Sequence, residues 1–166
     1  ITYIHQSCYD DFGIYKVLSY YGSNIYVAID ELASKASTTY YDTYTTGTGD
    51  SNVNAFFSCR YDISPHVCQS CVAATATNTN QCFMKVESLI SYEECTLHYS
   101  NRTIFSVIED LPRLYHFSNS TADRRPYHFT RFLANHVNEL ITDVTSSSRR
   151  FATTSPDTQT VIPFIV

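Results

Sequence analysis

The sequence predicts an α+β domain: an antiparallel β-sheet with helices packed on one face and three disulfides, followed by a partial second copy. Three observations predict it. Apolar spacing alternates between the period of strands and that of helices, in the order β-α-β-α-β-β. Six cysteines all fall between Cys8 and Cys95, and Cys59, Cys68 and Cys71 stand in the spacing C-x8-C-x2-C. Residues 128–166 then repeat a helix-then-β order, an internal repeat that stops early.

Residues 1–8 alternate apolar and polar, as Ile1 and Tyr3 against Thr2 and His5, and read as a strand leading into Cys8. Gly22-Ser23-Asn24 precedes Ile25, Ala28, Ile29, Leu32, Ala33 and Ala36, which share one helical face, with Ser23 or Asn24 as the cap. Residues 37–50 are too β-branched and aromatic for a helix and read as a strand closed by a Gly-containing turn. In Tyr40-Tyr41-Asp42-Thr43-Tyr44, alternate tyrosines fill one sheet face and the outward ones offer a contact patch. Residues 53–57 read as a short further element, a helical turn before Cys59. Ser64 as N-cap and Pro65 at the first helical position start the second helix, which puts Cys68 and Cys71 on one side. Residues 86–92 and 96–100 read as two strands flanking Cys95.

The character then changes. Residues 108–127, with Pro112, Ser118-Asn119-Ser120-Thr121, Arg124-Arg125 and Pro126, have the composition of a linker. Phe132, Leu133, His136, Val137, Leu140, Ile141 and Val144 place a helix over 128–147. Residues 149–154 and 161–166 are strand-like.

Composition narrows the function. Lys+Arg 11 against Asp+Glu 16 gives −5, which argues against a phosphate-tracking surface and so against nucleic acid. No apolar run approaches a membrane span. The start Ile1-Thr2-Tyr3-Ile4 carries no leader, the expected form of a mature secreted product. A zinc site needs a second close pair of ligands beside Cys68 and Cys71, and Cys82 and Cys95 are too far apart with no paired histidines nearby. The even cysteine count therefore reads as three disulfides formed in an oxidising compartment. Spacing alone does not choose among their pairings.

Catalytic readings find little support. Cys-His chemistry needs a free thiolate, and every cysteine here has a disulfide partner to expect. His128 and His136 share a helix two turns apart, too far to chelate one metal, and His136 reads as a packed face residue. Glu93 and Glu94 are neighbours on a strand and point to opposite faces. With Gly at 4, no phosphate-binding glycine loop is present. No cofactor and no metal are expected.

Cys59-Arg60-Tyr61-Asp62-Ile63-Ser64-Pro65, the C-x8-C-x2-C spacing, and Tyr92-Glu93-Glu94-Cys95-Thr96-Leu97-His98-Tyr99-Ser100-Asn101 closely resemble the ginkbilobin-homologous domain of plants, also called the salt-stress-response/antifungal domain. The resemblance spans residues 1–107. It occurs in small antifungal lectins, cysteine-rich secretory proteins, plasmodesmata-located proteins and the ectodomains of cysteine-rich receptor-like kinases. Residues 128–166 resemble the first half of a second, truncated or degenerate copy, with 108–127 as linker.

The resemblance implies the pairings Cys8–Cys82, Cys59–Cys68 and Cys71–Cys95. It also implies where a mannose site stands in the lectin members: an Asn just after the first cysteine, an Arg six before the last and a Glu five after it. Here those positions hold Tyr9, Leu89 and Ser100, and none keeps the side chain that hydrogen-bonds the sugar. Inherited mannose binding is not expected, and the glycan or protein ligand stays open. Asn101-Arg102-Thr103 and Asn119-Ser120-Thr121 are N-glycosylation sequons.

The implied function is a secreted protein of the apoplast or cell wall, acting in recognition or defence, with a carbohydrate-binding or antifungal role and no catalysis. The alternative is part of a tandem plasmodesmata-located or receptor-like kinase ectodomain that works as a protein-interaction module. Either way, the apolar stripe of 128–147 and the apolar residues 161–166 are expected to be covered by the first domain, a second copy or a partner chain, with Leu140 and Phe164 largely buried.

Overall fold

The computed structural model describes residues 1–16, 18–78, 82, 84–108 and 126–154. The chain divides into two compact units, Ile1–Pro112 and Arg113–Val166. In the first, five strands form one antiparallel sheet: β1 (Tyr3–Cys8), β2 (Tyr41–Thr46), β3 (Val53–Cys59), β4 (Ser88–Tyr92) and β5 (Cys95–Ser100), in the spatial order β1-β4-β5-β3-β2. Helices α1 (Tyr20–Lys35) and α2 (Pro65–Asn78) pack together on one of its faces.

The core lies between those helices and the sheet. Val53, Ala55 and Phe57 of β3, Ile90 of β4 and Leu97 and Tyr99 of β5 meet Ile25, Ile29 and Leu32 of α1 and Val72 of α2. Each of the larger side chains contributes roughly 1.5–3 kcal/mol relative to exposure. Tyr21 and Tyr99 sit at the edge of this core, and burial pushes both phenols above their ordinary range. Tyr21 still places its hydroxyl on Val86 O at 2.6 Å.

The structure corrects the sequence reading at three places. Residues 53–59 are not a helical turn but the central strand β3, between β2 and β5. The two-residue alternation of Val53, Ala55, Phe57 and Cys59 decides this, since each of the four is buried under the helices. The short helical turn falls just before it, at Gly49–Ser51. Helix α1 begins earlier than expected, capped by Ser19, whose Oγ accepts from Gly22 N–H at 3.1 Å. Gly22 belongs to the helix because Tyr15 lies against it: a Cβ there would sit 2.9 Å from the Tyr15 ring. Asn24 has another task, donating to Ser51 O at 2.8 Å and tying the helix to that turn.

Helix α2 starts at Pro65 with Ser64 Oγ accepting from Val67 N–H at 3.3 Å. Three disulfides join the elements: Cys8 at the end of β1 to Cys82, Cys59 at the end of β3 to Cys68 in α2, and Cys71 in α2 to Cys95 at the start of β5.

In the second unit the described residues form helix α3 (Pro126–Ser146). The third correction falls here: residues 149–154 form no strand, and Arg150 adopts a left-handed φ of 53° that breaks the extended run. Leu140 is half-buried, whereas Leu133, Val137 and Ile141 are 49%, 43% and 55% exposed. Residues 161–166, including Phe164, lie outside the described residues, as do most of 108–127 and Asn119.

Candidate functional site

Alternation along the strands turns one set of side chains away from the helices. On the face away from α1 and α2, register places Thr43 of β2 opposite Phe56 of β3, Phe56 opposite His98 of β5, His98 opposite Leu89 of β4, and Leu89 opposite Ser7 of β1. Such a face is ordinarily the solvated side of a two-layer domain. Here its centre is buried: Glu87 and Ser100 are fully enclosed and His98 is 3% exposed.

Glu87, just before β4, organises this centre. Its Oε1 accepts from Arg102 Nη2 at 2.6 Å and His98 Nε2 at 3.1 Å, and its Oε2 accepts from Ser100 Oγ at 2.6 Å and Arg102 Nε at 2.8 Å. Arg102 thus grips the carboxylate with the two-pronged geometry that favours arginine over lysine. Burial by itself would raise the Glu87 pKa, but the hydrogen bonds from Arg102, Ser100 and His98 outweigh it and hold the carboxyl below its ordinary value. The network continues outward. Asn54 Nδ2 donates to Arg102 O at 2.9 Å, and Thr45 Oγ1 donates to Asn54 Oδ1 at 2.9 Å.

Aromatic rings cover the cluster and run across the face. Tyr41 lies 6.0 Å from Phe56, Phe56 5.6 Å from His98, His98 6.0 Å from Tyr9 in a stacked pair, and Tyr9 6.1 Å from Phe12. The Arg102 guanidinium stands 5.0 Å over the Phe12 ring and closes the row. Tyr9 and Phe12 belong to the segment after β1, anchored by Tyr9 N–H on Glu87 O and by the Asp10–Lys85 ion pair.

Tyr9, Leu89 and Ser100, the positions that the family resemblance matches to a mannose site, meet at this cluster. Tyr9 stacks on His98, Leu89 is the cross-strand neighbour of His98, and Ser100 lies beneath. Ser100 is closed to any ligand: its hydroxyl donates to Glu87 and accepts from Arg102 N–H at 3.2 Å. Sequence reading did not single out Glu87, His98 or Arg102. The available signal was Glu87 itself, a lone acid between Val86 and the apolar start of β4.

Other candidate residues have structural partners. Glu94 receives Thr2 N–H through both oxygens, at 3.2 and 3.0 Å. Burial raises its pKa and the Thr2 hydrogen bond leads the causes that lower it, leaving it below its ordinary value. His136 packs its ring 4.3 Å from Phe132 on α3. Among the described residues no group of His, Cys, Asp or Glu side chains is arranged to hold a metal, and no helix is long and apolar enough to cross a membrane. Asn101 is exposed at the end of β5. A second surface feature lies between α1 and α2, an open apolar groove of about 440 Å³ bordered by Tyr26, Val27, Ala33 and Ala73.

Comparison with known proteins agrees with the geometry. Residues 7–102 match the salt stress response/antifungal family. The chain is 33% identical over 153 residues to cysteine-rich repeat secretory protein 1 of Arabidopsis thaliana, covering 91% of this chain and 44% of that protein. It is 29% identical over 150 residues to the cysteine-rich receptor-like protein kinase 6 of the same plant, covering 86% and 22%. It therefore spans less than half the length of either relative. The crystal structure of the tandem DUF26 ectodomain of the Arabidopsis thaliana cysteine-rich receptor-like protein PDLP5 superposes with a TM-score of 0.73 at 21% identity, over 85% of this chain and 69% of that one. That of PDLP8 gives 0.74 at 18%, over 88% and 68%.

Proposed function

The chain belongs to the salt stress response/antifungal family, and from that premise we propose that it is a non-catalytic recognition module of the plant apoplast or cell wall, acting in defence. The observation that carries this reading is the state of its reactive groups. All six cysteines are in disulfides. The buried acid of the sheet face, Glu87, is saturated by four hydrogen bonds. A carboxylate so held is a poor base, and a thiol in a disulfide is no nucleophile. The test is to express the tagged chain behind a secretory leader in plant cells and recover it from the wall space. Recovery with no free thiol supports the reading, and intracellular retention in reduced form refutes it.

A second observation favours the reading in which this chain forms part of a tandem ectodomain. One constant offset carries the core positions Tyr21, Ile25, Ala28, Ile29 and Leu32 of α1 onto Leu133, Val137, Leu140, Ile141 and Val144 of α3. In α1 these positions are buried, whereas Leu133, Val137 and Ile141 of α3 are exposed. We infer that residues 128–166 are the first half of a second copy, after a linker at 108–127. The α3 face then takes the kind of cover α1 has, a helix and strands equivalent to α2 and β3. Mixing the chain with a polypeptide bearing those elements should give one heterodimer by analytical ultracentrifugation, and Ile141→Asp should abolish it. An unchanged monomer rules this out.

A further inference from the structure

We propose that the open groove between α1 and α2 docks one helix of a partner protein, a helix with an apolar stripe and a basic flank. This names a partner class for the recognition module above and rests on that reading. The solvent side of a surface helix is ordinarily polar and charged. Here Tyr26 and Val27 of α1 stand 54% and 45% exposed beside a groove of about 440 Å³, whose other wall is formed by Ala73 and Ala76 of α2. Helix α2 contains no Asp, Glu, Lys or Arg at all. Small residues on that wall let a third helix lie close and bury its stripe along the seam between the first two.

Charge selects the partner. Twice elsewhere in this domain a cation completes a pair made of a ring and a carboxylate. Lys35 Nζ lies 3.2 Å from Asp42 and 5.6 Å from the centre of the Tyr44 ring. Arg102 grips Glu87 and stands over Phe12. Tyr26 and Asp30 are a pair of the same kind, one turn apart on α1 and both bordering the groove. Their cation is missing. Asp30 and its neighbour Glu31 make no ion pair or side-chain hydrogen bond among the described residues, and Lys35, the one cation of α1, is held by Asp42. A Lys or Arg from a docked helix fits between the Tyr26 ring and the Asp30 carboxylate, where both attract it.

A second copy of this chain is a poorer occupant. A two-fold interface sets a patch against itself. That would bring Asp30 and Glu31 of one copy towards those of the other, between chains that each carry −5. A helix with an acidic flank meets the same repulsion.

The experiment uses the disulfide-intact chain and three labelled peptides about five turns long. One carries a leucine stripe at helical spacing flanked by lysines, and the second has Glu in place of each Lys. The third keeps the Leu and Lys composition but scrambles the stripe. Binding is read by fluorescence anisotropy at low salt. The striped Leu/Lys peptide should bind, more weakly as salt is raised, while the other two do not. Asp30→Lys should weaken it about tenfold, since an exposed ion pair and its ring contact are lost together. Tyr26→Leu keeps the apolar border but has no π face, and should cost about two- to fivefold. Ala73→Gln, which fills the groove from an exposed position, should also weaken binding. Asp11→Lys, the same change of charge at an exposed residue after β1, should leave it unchanged.

The proposal is overturned if the striped Leu/Lys peptide does not bind, if the Leu/Glu peptide binds equally well, or if Asp30→Lys binds no worse than Asp11→Lys. A dimer of the chain alone that Ala73→Gln disperses, seen by sedimentation, would also overturn it and give the groove to a second copy. Failure of the recognition reading is seen separately, as retention of reduced chain inside the cell.

Discussion

Replacing Glu87 with Gln tests whether the buried network is a structural keystone. The side chain is fully enclosed and accepts four hydrogen bonds, two of them from Arg102. An amide of the same shape keeps one oxygen but presents an N–H₂ to groups that are themselves donors, and it leaves the guanidinium without its counter-charge. Removing one partner of a buried ion pair costs about 3–5 kcal/mol. Arg102 keeps 32% of its side chain exposed, so water recovers part of the loss and the lower end, about 3 kcal/mol, is expected. Urea unfolding at pH 7 with the disulfides intact measures it as a lower midpoint at unchanged slope. The pH dependence supplies an independent sign. Glu87 has a folded pKa below the ordinary 4.5, so its stabilisation is fully present above that value. It is lost as pH falls from there through the folded pKa. The parent should therefore lose stability faster than Glu87→Gln over that interval. Asp62 and Glu94, also lowered, titrate alike in both proteins and cancel in the difference. A loss under about 1 kcal/mol together with parallel pH curves would refute the argument.

Three further outcomes are expected. Non-reducing peptide mapping should find no free thiol and the pairs Cys8–Cys82, Cys59–Cys68 and Cys71–Cys95; removing the last with paired serines should lower unfolding stability by about 2–4 kcal/mol. Titration calorimetry should show mannose binding no tighter than about 1 mM, because Ser100 is committed to Glu87 and Leu89 offers no polar group; submillimolar binding would show that Tyr9 and its neighbours suffice. Gly47→Ala should destabilise by about 1–3 kcal/mol in the same urea assay, since Gly47 has φ +81° and a Cβ there would lie 2.2 Å from Ser51 O; an unchanged midpoint contradicts this.

What could be read from the residues was mostly what repeats locally. The Ser64-Pro65 start of α2, the α1 apolar face and the tyrosine alternation at 40–44 are short-range signals, and each has its counterpart in the fold. Strand β3 was misread because its alternation is carried by residues as different as Val53, Ala55 and Cys59, so its period was easy to miss beside the glycine turn. The cap of α1 was misplaced because Gly22 looks like a turn residue until Tyr15 is seen against it. The polar cluster was out of reach for another reason. Glu87, His98, Ser100 and Arg102 come from the residue before β4, from β5 and from the turn after it, and no spacing in a sequence announces that one carboxylate will collect the other three. Fold class came from periodicity, whereas the positions of the mannose-site equivalents came only from family resemblance.

The position of the cluster carries the functional argument further than its composition does. A buried ion pair is seldom more stable than well-packed apolar side chains of the same size, so stability alone does not account for placing Glu87 and Arg102 on the side of the sheet away from α1 and α2. Their neighbours supply a reason. Glu87 fixes the His98 ring on which Tyr9 stacks, and Arg102 fixes the face of Phe12. Ser100 donates to the same carboxylate from beneath. Glu87 and the rings thus form one unit. Loss of the carboxylate should loosen Tyr9 and Phe12 first, before it reaches the helix-covered core on the other side of the sheet.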